Sequence, residues 1–265
     1  GQIAALTTNQ AASLTSAEMA AFSSDQITSF ETADLAKIKV ASIKGLTTDA
    51  LAALTTSQIQ ALTTGATGQI AALTTAQIQA LTPTQIEALT TAQAGSLTSS
   101  QVAILSTAQF ASMEATDFAA ITSLGIKGLS TAIVANLTTT QFASLTTGTN
   151  GQIAALTTAQ IAVLTTGTNG QIAALTTDQA ASLTSTQVAK FTSDQFASME
   201  SADFAKLSPA GVKGLSTATI AGLTTAQIAS MSTGATGLLA GLSTAQIAAL
   251  TSTQLEALSS DQEAS

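Results

Sequence analysis

The chain has 265 residues, of which 45% are hydrophobic and only 8% are charged, and its formal net charge is −8. It contains no His, Cys, Trp or Tyr, which excludes histidine general bases and imidazole or thiolate metal ligands. With seven basic residues and 3% aromatics, it lacks the basic stripe and the stacking surface of a nucleic-acid-binding protein. No apolar run is long enough to insert in a membrane. We therefore expect no nucleic-acid partner, no membrane insertion, no cofactor and no enzymatic activity.

One eight-residue pattern fills the chain from end to end. Its consensus is Leu-Thr-Thr-Ala-Gln-Ile-Ala-Ala, which residues 73–80 follow closely. We label the positions of this octad a to h. Position a is always apolar, b is usually Ser or Thr, e is usually Gln, and f is usually Ile, Val, Phe or Leu. Octads and four short insertions account for almost every residue, so the sequence leaves no room for a separate catalytic domain.

The octad fits neither a continuous helix nor a simple strand. Eight residues at ~100° each overshoot two helical turns by ~80°, so an apolar stripe would wind around a long helix. Positions a and f have opposite parity, so in a strand they would face opposite sides of a sheet.

A helix start explains all four constrained positions. Ser or Thr at b with Gln at e forms a capping box, and apolar residues at a and f form the hydrophobic staple. We therefore predict one short helix per octad, of about six residues from c to h. The predicted fold is an all-α solenoid of very short helices, with two octads per coil. The alternative is a β-solenoid with rows of Thr and ladders of Gln.

Four three-residue insertions interrupt the octads. Each begins and is followed by glycine, which marks a turn with a positive φ angle. We expect these joints to divide a single array, 1–265, into sub-units 1–67, 68–150, 151–169, 170–236 and 237–265. The lengths of the longer sub-units differ by sixteen residues, which favours a coil of two octads. The glycines of the joints are Gly65, Gly68, Gly148, Gly151, Gly167, Gly170, Gly234 and Gly237.

An acidic marker recurs three times. A Glu and an Asp three residues apart are followed, ten residues after the Asp, by Lys-Gly. The Lys and Gly suit the end of a helix. We expect these residues to act in structure or assembly, through a salt bridge or a lateral contact between coils; a weak cation site and a covalent bond from Lys are alternatives. They are Glu31, Asp34, Lys44, Glu114, Asp117, Lys127, Glu200, Asp203 and Lys213.

The Leu-Thr-Thr-x-Gln-Ile-Ala-Ala octad resembles the repetitive regions of large secreted or cell-surface proteins of Gram-negative bacteria. The resemblance covers the whole chain and implies an extracellular role in adhesion, matrix or filament formation. It implies no catalytic or binding residue.

Three functions follow as expectations. The first is a structural repeat protein that builds an extracellular fibre, sheath, matrix or adhesin stalk, with copies of itself and other surface components as partners. The second is a module that binds ice or another regular surface through rows of Thr and Ser. The third is a spacer stalk that does not assemble.

Overall fold

The computed structural model describes residues 3–263, and within that range the regular elements are all short helices. Residues 1, 2, 264 and 265, at the outer ends of the first and last predicted sub-units, lie outside the described part. The contacts divide the chain into two compact units, residues 1–136 and 137–265, which we describe separately. The prediction of an all-helical repeat is confirmed. The β-solenoid alternative is not supported, because the described residues contain no strand.

The first unit contains one 3-10 helix, η1, and the helices α1 to α16. Their bounds in chain order are Ile3–Ala5 for η1, then Thr8–Ser13, Ser16–Ala21, Ser24–Thr28, Thr32–Leu35, Val40–Ile43, Thr48–Ala53, Thr56–Ala61, Gln69–Ala72, Thr75–Ala80, Pro83–Glu87, Thr91–Ala94, Ser99–Ala103, Thr107–Ser112, Ala115–Ala120, Ser123–Lys127 and Thr131–Asn136.

The second unit contains the helices α17 to α29 and a second 3-10 helix, η2, which lies between α26 and α27. The bounds of α17 to α26 are Thr139–Ala143, Gln152–Ala155, Thr158–Ala162, Thr177–Ser182, Ser185–Val188, Ser193–Ser198, Ser201–Phe204, Pro209–Lys213, Thr217–Ala221 and Thr225–Ala229. They are followed by η2 at Leu239–Gly241 and by α27 to α29 at Thr244–Ala248, Ser252–Glu256 and Ser260–Glu263.

The predicted capping box starts most of these helices. In α9, the Thr74 side chain accepts a hydrogen bond from the Gln77 backbone N–H, and the Gln77 side chain accepts one from the Thr74 N–H. Thr74 has extended backbone angles, so it is the N-cap, and the helix runs from c to h as predicted. The next anchor, Leu81, has a ψ of 130°, which ends the helix before the following Thr begins another.

Positions a and f form the core. Ile78 at f is fully buried and Leu81 at a is 3% exposed, and the same two positions are buried in nearly every octad. Burying a side chain of this size stabilises the fold by roughly 1.5–3 kcal/mol. Because an isolated helix of four to six residues is unstable in water, this burial against neighbouring turns must supply the stability.

Within each unit, a helix packs on the third helix along the chain. Contacts link α3 with α6, α6 with α9 and α11 with α14 in the first unit, and α21 with α24 in the second. Side-chain hydrogen bonds reach slightly further, from Gln58 back to the carbonyl oxygens of Phe30 and Ile27. One turn of the chain therefore spans between three and four octads.

The prediction of two octads per coil is wrong. It was drawn from the sixteen-residue difference between sub-unit lengths. The contacts show instead that neighbours in adjacent turns are separated by three octads, and the insertions do not change that register. An even number of octads between joints is therefore not required by the winding of the chain.

Candidate functional site

Glutamine at position e joins one turn of the chain to the previous turn. In α9, Gln77 is 3% exposed, and its Oε1 accepts the Thr74 N–H at 2.8 Å. Its Nε2 donates to the carbonyl oxygens of Ile43 at 3.2 Å and Leu46 at 2.8 Å, both in the preceding turn. A buried amide without partners would cost a few kcal/mol, whereas this one is satisfied at both ends.

The same bonds recur along both units, and we call these residues the inter-turn glutamines. Each Nε2 donates to backbone carbonyl oxygens earlier in the chain. These belong to the residue at f or g four octads earlier, to the residue at a three octads earlier, or to both. The separation is 28 to 31 residues for Gln101 and 31 to 34 residues for Gln85, because an insertion lies between the latter and its acceptors. The inter-turn glutamines include Gln58, Gln69, Gln77, Gln85, Gln93, Gln101, Gln109, Gln171, Gln179, Gln187, Gln195, Gln227, Gln246, Gln254 and Gln262.

The joints protrude from the octads without breaking the capping box. The first glycine of each joint has a positive φ, between 85° and 89°, at Gly65, Gly148, Gly167 and Gly234. Across the first joint, the Thr63 hydroxyl accepts the Gln69 N–H at 3.0 Å, and Gln69 Oε1 accepts the Thr63 N–H at 2.9 Å. The box is thus kept with its partners six positions apart in the chain instead of three.

The second glycine of each joint is buried and does not have a positive φ angle. Gly68 is the N-cap of α8, and a Cβ atom there would lie 2.3 Å from the Thr64 carbonyl oxygen. Gly151 is the N-cap of α18, and a Cβ atom would lie 2.4 Å from the Thr147 carbonyl oxygen. The equivalent residues Gly170 and Gly237 meet backbone oxygens in the same way. These glycines are required by close approach of the backbone.

A serine at position h holds three of the joints to a later turn. The Gly65 N–H donates to the Ser96 hydroxyl at 2.7 Å, and Ser96 in turn donates to the Ala92 carbonyl oxygen. Ser182 and Ser198 accept the N–H groups of Gly148 and Gly167 in the same way. The role of these serines could not be predicted from the sequence, because Ser at h occurs in many octads without this role.

The acidic marker places its Asp at position e, where most octads carry Gln. Asp34, Asp117 and Asp203 are 3%, 4% and 3% exposed, whereas Glu31, Glu114 and Glu200 at position b are exposed. None of these three Glu side chains caps its helix. The marker therefore removes an inter-turn donor from three turns and buries a carboxyl group there.

The three buried carboxyl groups have different surroundings. Asp117 Oδ1 accepts a hydrogen bond from the Thr91 hydroxyl of the preceding turn at 2.7 Å. Asp203 Oδ2 is buried and has no hydrogen-bond partner. Burial, reinforced by the neighbouring Glu200 carboxylate, raises the pKa of Asp203 to about 6.

Lys44, Lys127 and Lys213 are exposed at the ends of their helices. Lys127 and Lys213 lie in the last turns of α15 and α24, where the positive charge suits the helix dipole. No salt bridge joins the members of a marker within residues 3–263. The glycine after Lys44 has a packing role, because a Cβ atom on Gly45 would overlap the Ser16 carbonyl oxygen of the preceding turn.

No cluster of three or more acidic residues suited to a metal ion occurs among residues 3–263. None of the helices in that range has the length and apolar character needed to cross a bilayer.

The described residues thus define an all-helical repeat protein in which glutamines bond successive turns. The sequence model of the ALTTAQ repeat family matches residues 27–64, 66–91, 110–147, 196–233 and 236–265. These segments make up more than half of the chain, so the protein belongs to the ALTTAQ repeat family. No curated protein and no solved structure matches the chain.

Proposed function

We propose that the protein is a structural repeat protein whose helices form a solenoid that builds a fibre, sheath, matrix or stalk by self-association. The supporting observation is the uniform bonding of the inter-turn glutamines. The same side chain starts a helix and binds the preceding turn, and the pattern passes through the joints in register. A bond of this kind recurs along both units, and contacts repeated between neighbouring turns are the property that lets repeat arrays grow in one dimension.

The surface of the chain supports this proposal. Positions b, c and d carry mainly Thr, Ser and Ala, and only 8% of the residues are charged. Such a surface offers little charge repulsion between copies. The resemblance to repeats of secreted bacterial proteins supports a role at the cell surface or outside the cell, with copies of the chain as the main partner. Neither an enzymatic role nor a nucleic-acid partner is part of the proposal.

Electron microscopy of the purified chain tests the proposal. Over a concentration series, we expect fibres or elongated oligomers whose length increases with concentration. Uniform single particles at every concentration would contradict self-association and favour the spacer stalk.

A second function is supported by the hydroxyl groups at position c. The hydroxyl at b is engaged as the helix cap, for example in Thr74, whereas residues at c such as Thr75 are exposed. Rows of free hydroxyls of this kind would suit a regular surface such as ice. Thermal hysteresis of a solution of the chain tests this function, and its absence together with unaltered ice crystals would exclude it.

A further inference from the structure

Each acidic marker begins three consecutive octads that carry no glutamine at position e. We call these segments the marker turns, and they are residues 30–53, 113–136 and 199–222. The turns below are the three octads before each of them, residues 6–29, 89–112 and 175–198. In place of glutamine, the marker turns carry at e Asp34, Ser42 and Ala50, then Asp117, Gly125 and Ile133, and then Asp203, Gly211 and Thr219.

The turns below depart from the consensus at matching places. Three octads before each marker Asp, position f carries Ala, which occurs at f in no other octad. The next octad carries Val or Met at f, three octads before the Gly or Ser at e. The paired positions are 23 residues apart in every case, and they are Ala11 and Asp34, Ala94 and Asp117, Ala180 and Asp203, Met19 and Ser42, Val102 and Gly125, and Val188 and Gly211. A marker turn and the turn below it therefore change together in all three copies.

The two glycines show why the changes are matched. A Cβ atom on Gly125 would lie 3.3 Å from Val102 Cγ2, and a Cβ atom on Gly211 would lie 2.8 Å from Val188 Cβ. Both valines are fully buried. Each valine therefore occupies the space that a side chain at e would need, and a glutamine there would overlap it.

Polar bonds also join the matched turns. The Thr91 hydroxyl, in the octad of Ala94, donates to Asp117 Oδ1 at 2.7 Å. In the first pair, the Ser42 hydroxyl donates to the Leu14 carbonyl oxygen at 2.7 Å. Both bonds use side chains that ordinary octads lack at position e, so a turn placed one octad away would lose them.

We propose that each marker turn and the turn below it form a matched pair that fixes which octads lie against each other when the chain winds. Ordinary octads offer little discrimination, because most glutamines at e follow Ile, Leu or Phe at f three octads earlier. Buried departures from a repeating pattern are a known means of fixing register in repetitive structures. This role lies within one chain and does not depend on the self-association proposed above.

A displacement by one octad would be penalised at a matched pair. It would bring Gly125 beside Phe110 or beside Ala94 instead of Val102. The phenyl ring is too large for the space that a valine fills, and alanine would leave part of that space empty. Successive markers are ten octads apart, so both units contain at least one matched pair.

Disulfide trapping reports the register, because the chain contains no cysteine of its own. A Cβ atom on Gly128 would lie 3.7 Å from Ala103 Cβ, which suits a disulfide. Ala103→Cys with Gly128→Cys therefore reports the native register. Ala103→Cys with Ala120→Cys or with Asn136→Cys reports a displacement by one octad in either direction. Each pair is refolded from denaturant under oxidising conditions, and the disulfide yield is measured by mass spectrometry.

The decisive variant gives the second matched pair the consensus side chains. It combines Ala94→Ile, Val102→Ile, Asp117→Gln, Gly125→Gln and Ile133→Gln. We expect it to keep its helical circular dichroism, and we expect the displaced disulfides to increase at least tenfold over the otherwise unchanged chain.

The control variant combines Ser106→Thr with Met113→Leu. These changes also bring the same two turns closer to the consensus, but they leave positions e and f as they are. We expect its displaced disulfides to stay at the level of the unchanged chain. Displaced disulfides that are equally rare in the decisive variant and in the control would overturn the proposal.

A double-mutant cycle tests the matched contact without depending on the five-fold variant. We expect Gly125→Ala to lower the melting temperature by a few degrees, because its Cβ atom would crowd Val102 Cγ2. Val102→Ala removes that methyl group, so the double variant should lose less than the two single variants together. Losses that simply add would contradict the matched contact.

Discussion

Single residues of this chain do two tasks at once, and Gln at position e is the main example. Its capping role was predicted from the spacing of b and e, but its bond to the preceding turn was not. The sequence did contain a signal for this second bond. Glu can form a capping box as well as Gln, yet Gln dominates position e. Only an amide offers both the acceptor for the helix cap and the donor for the previous turn.

The two roles of Gln77 predict an unusually large effect of its removal. Gln77→Ala deletes a capping partner and leaves the carbonyl oxygens of Ile43 and Leu46 without their donor. We expect a loss of about 2–3 kcal/mol in the free energy of unfolding, measured by denaturant titration. The control is Gln79→Ala, at an exposed position of the same helix, with an expected change below about 0.5 kcal/mol. Equal effects of the two variants would contradict the inter-turn role.

Asp203 predicts a pH dependence. Its pKa in the folded chain is about 6, above the usual 3.8, so the folded chain binds the proton more tightly than the unfolded chain. The stability that this residue contributes is therefore fully present below about pH 3.8 and is lost as the pH rises through about 6.

Thermal melts of the wild type and of Asp203→Asn between pH 4 and pH 7 measure this effect. We expect the wild type to lose stability relative to the variant as the pH rises. Asp194→Asn, at an exposed aspartate, controls for the loss of a charge. A constant difference between the wild type and Asp203→Asn would contradict the effect of burial.

At the scale of the element, local chemistry predicted the helices but not their partners. The capping box and the staple lie within one octad, so Thr74 and Gln77 could be assigned from sequence alone. The number of octads in a turn depends on how side chains from distant octads pack, and the octads are too alike to distinguish one partner from another. The sixteen-residue difference between sub-unit lengths led to the wrong prediction of two octads per coil, because the joints loop out and leave the register unchanged.

The joints predict a tolerated deletion. Removing residues 65–67 would bring Thr63 and Gln69 to the ordinary spacing of a capping box, which they already form across the loop. We expect the deleted chain to retain its helical circular dichroism and to melt within a few degrees of the wild type. Deleting residues 75–77 removes the same number of residues from within an octad and should abolish the cooperative melt. Similar losses in both deletions would contradict the view that the joint lies outside the register.

At the scale of the whole molecule, the chain is one repeat with local departures from its pattern. The acidic markers and the joints each change a few side chains and keep the anchors at a and f.

The central claim is that the chain is a building unit that associates with itself. Sedimentation velocity of the purified 265-residue chain over a wide concentration series tests it most directly. The account predicts species that grow steadily in size as the concentration rises, because contacts between copies that do not close into a ring set no limit to growth. A single species with the 26.2 kDa mass of one chain at every concentration would contradict it.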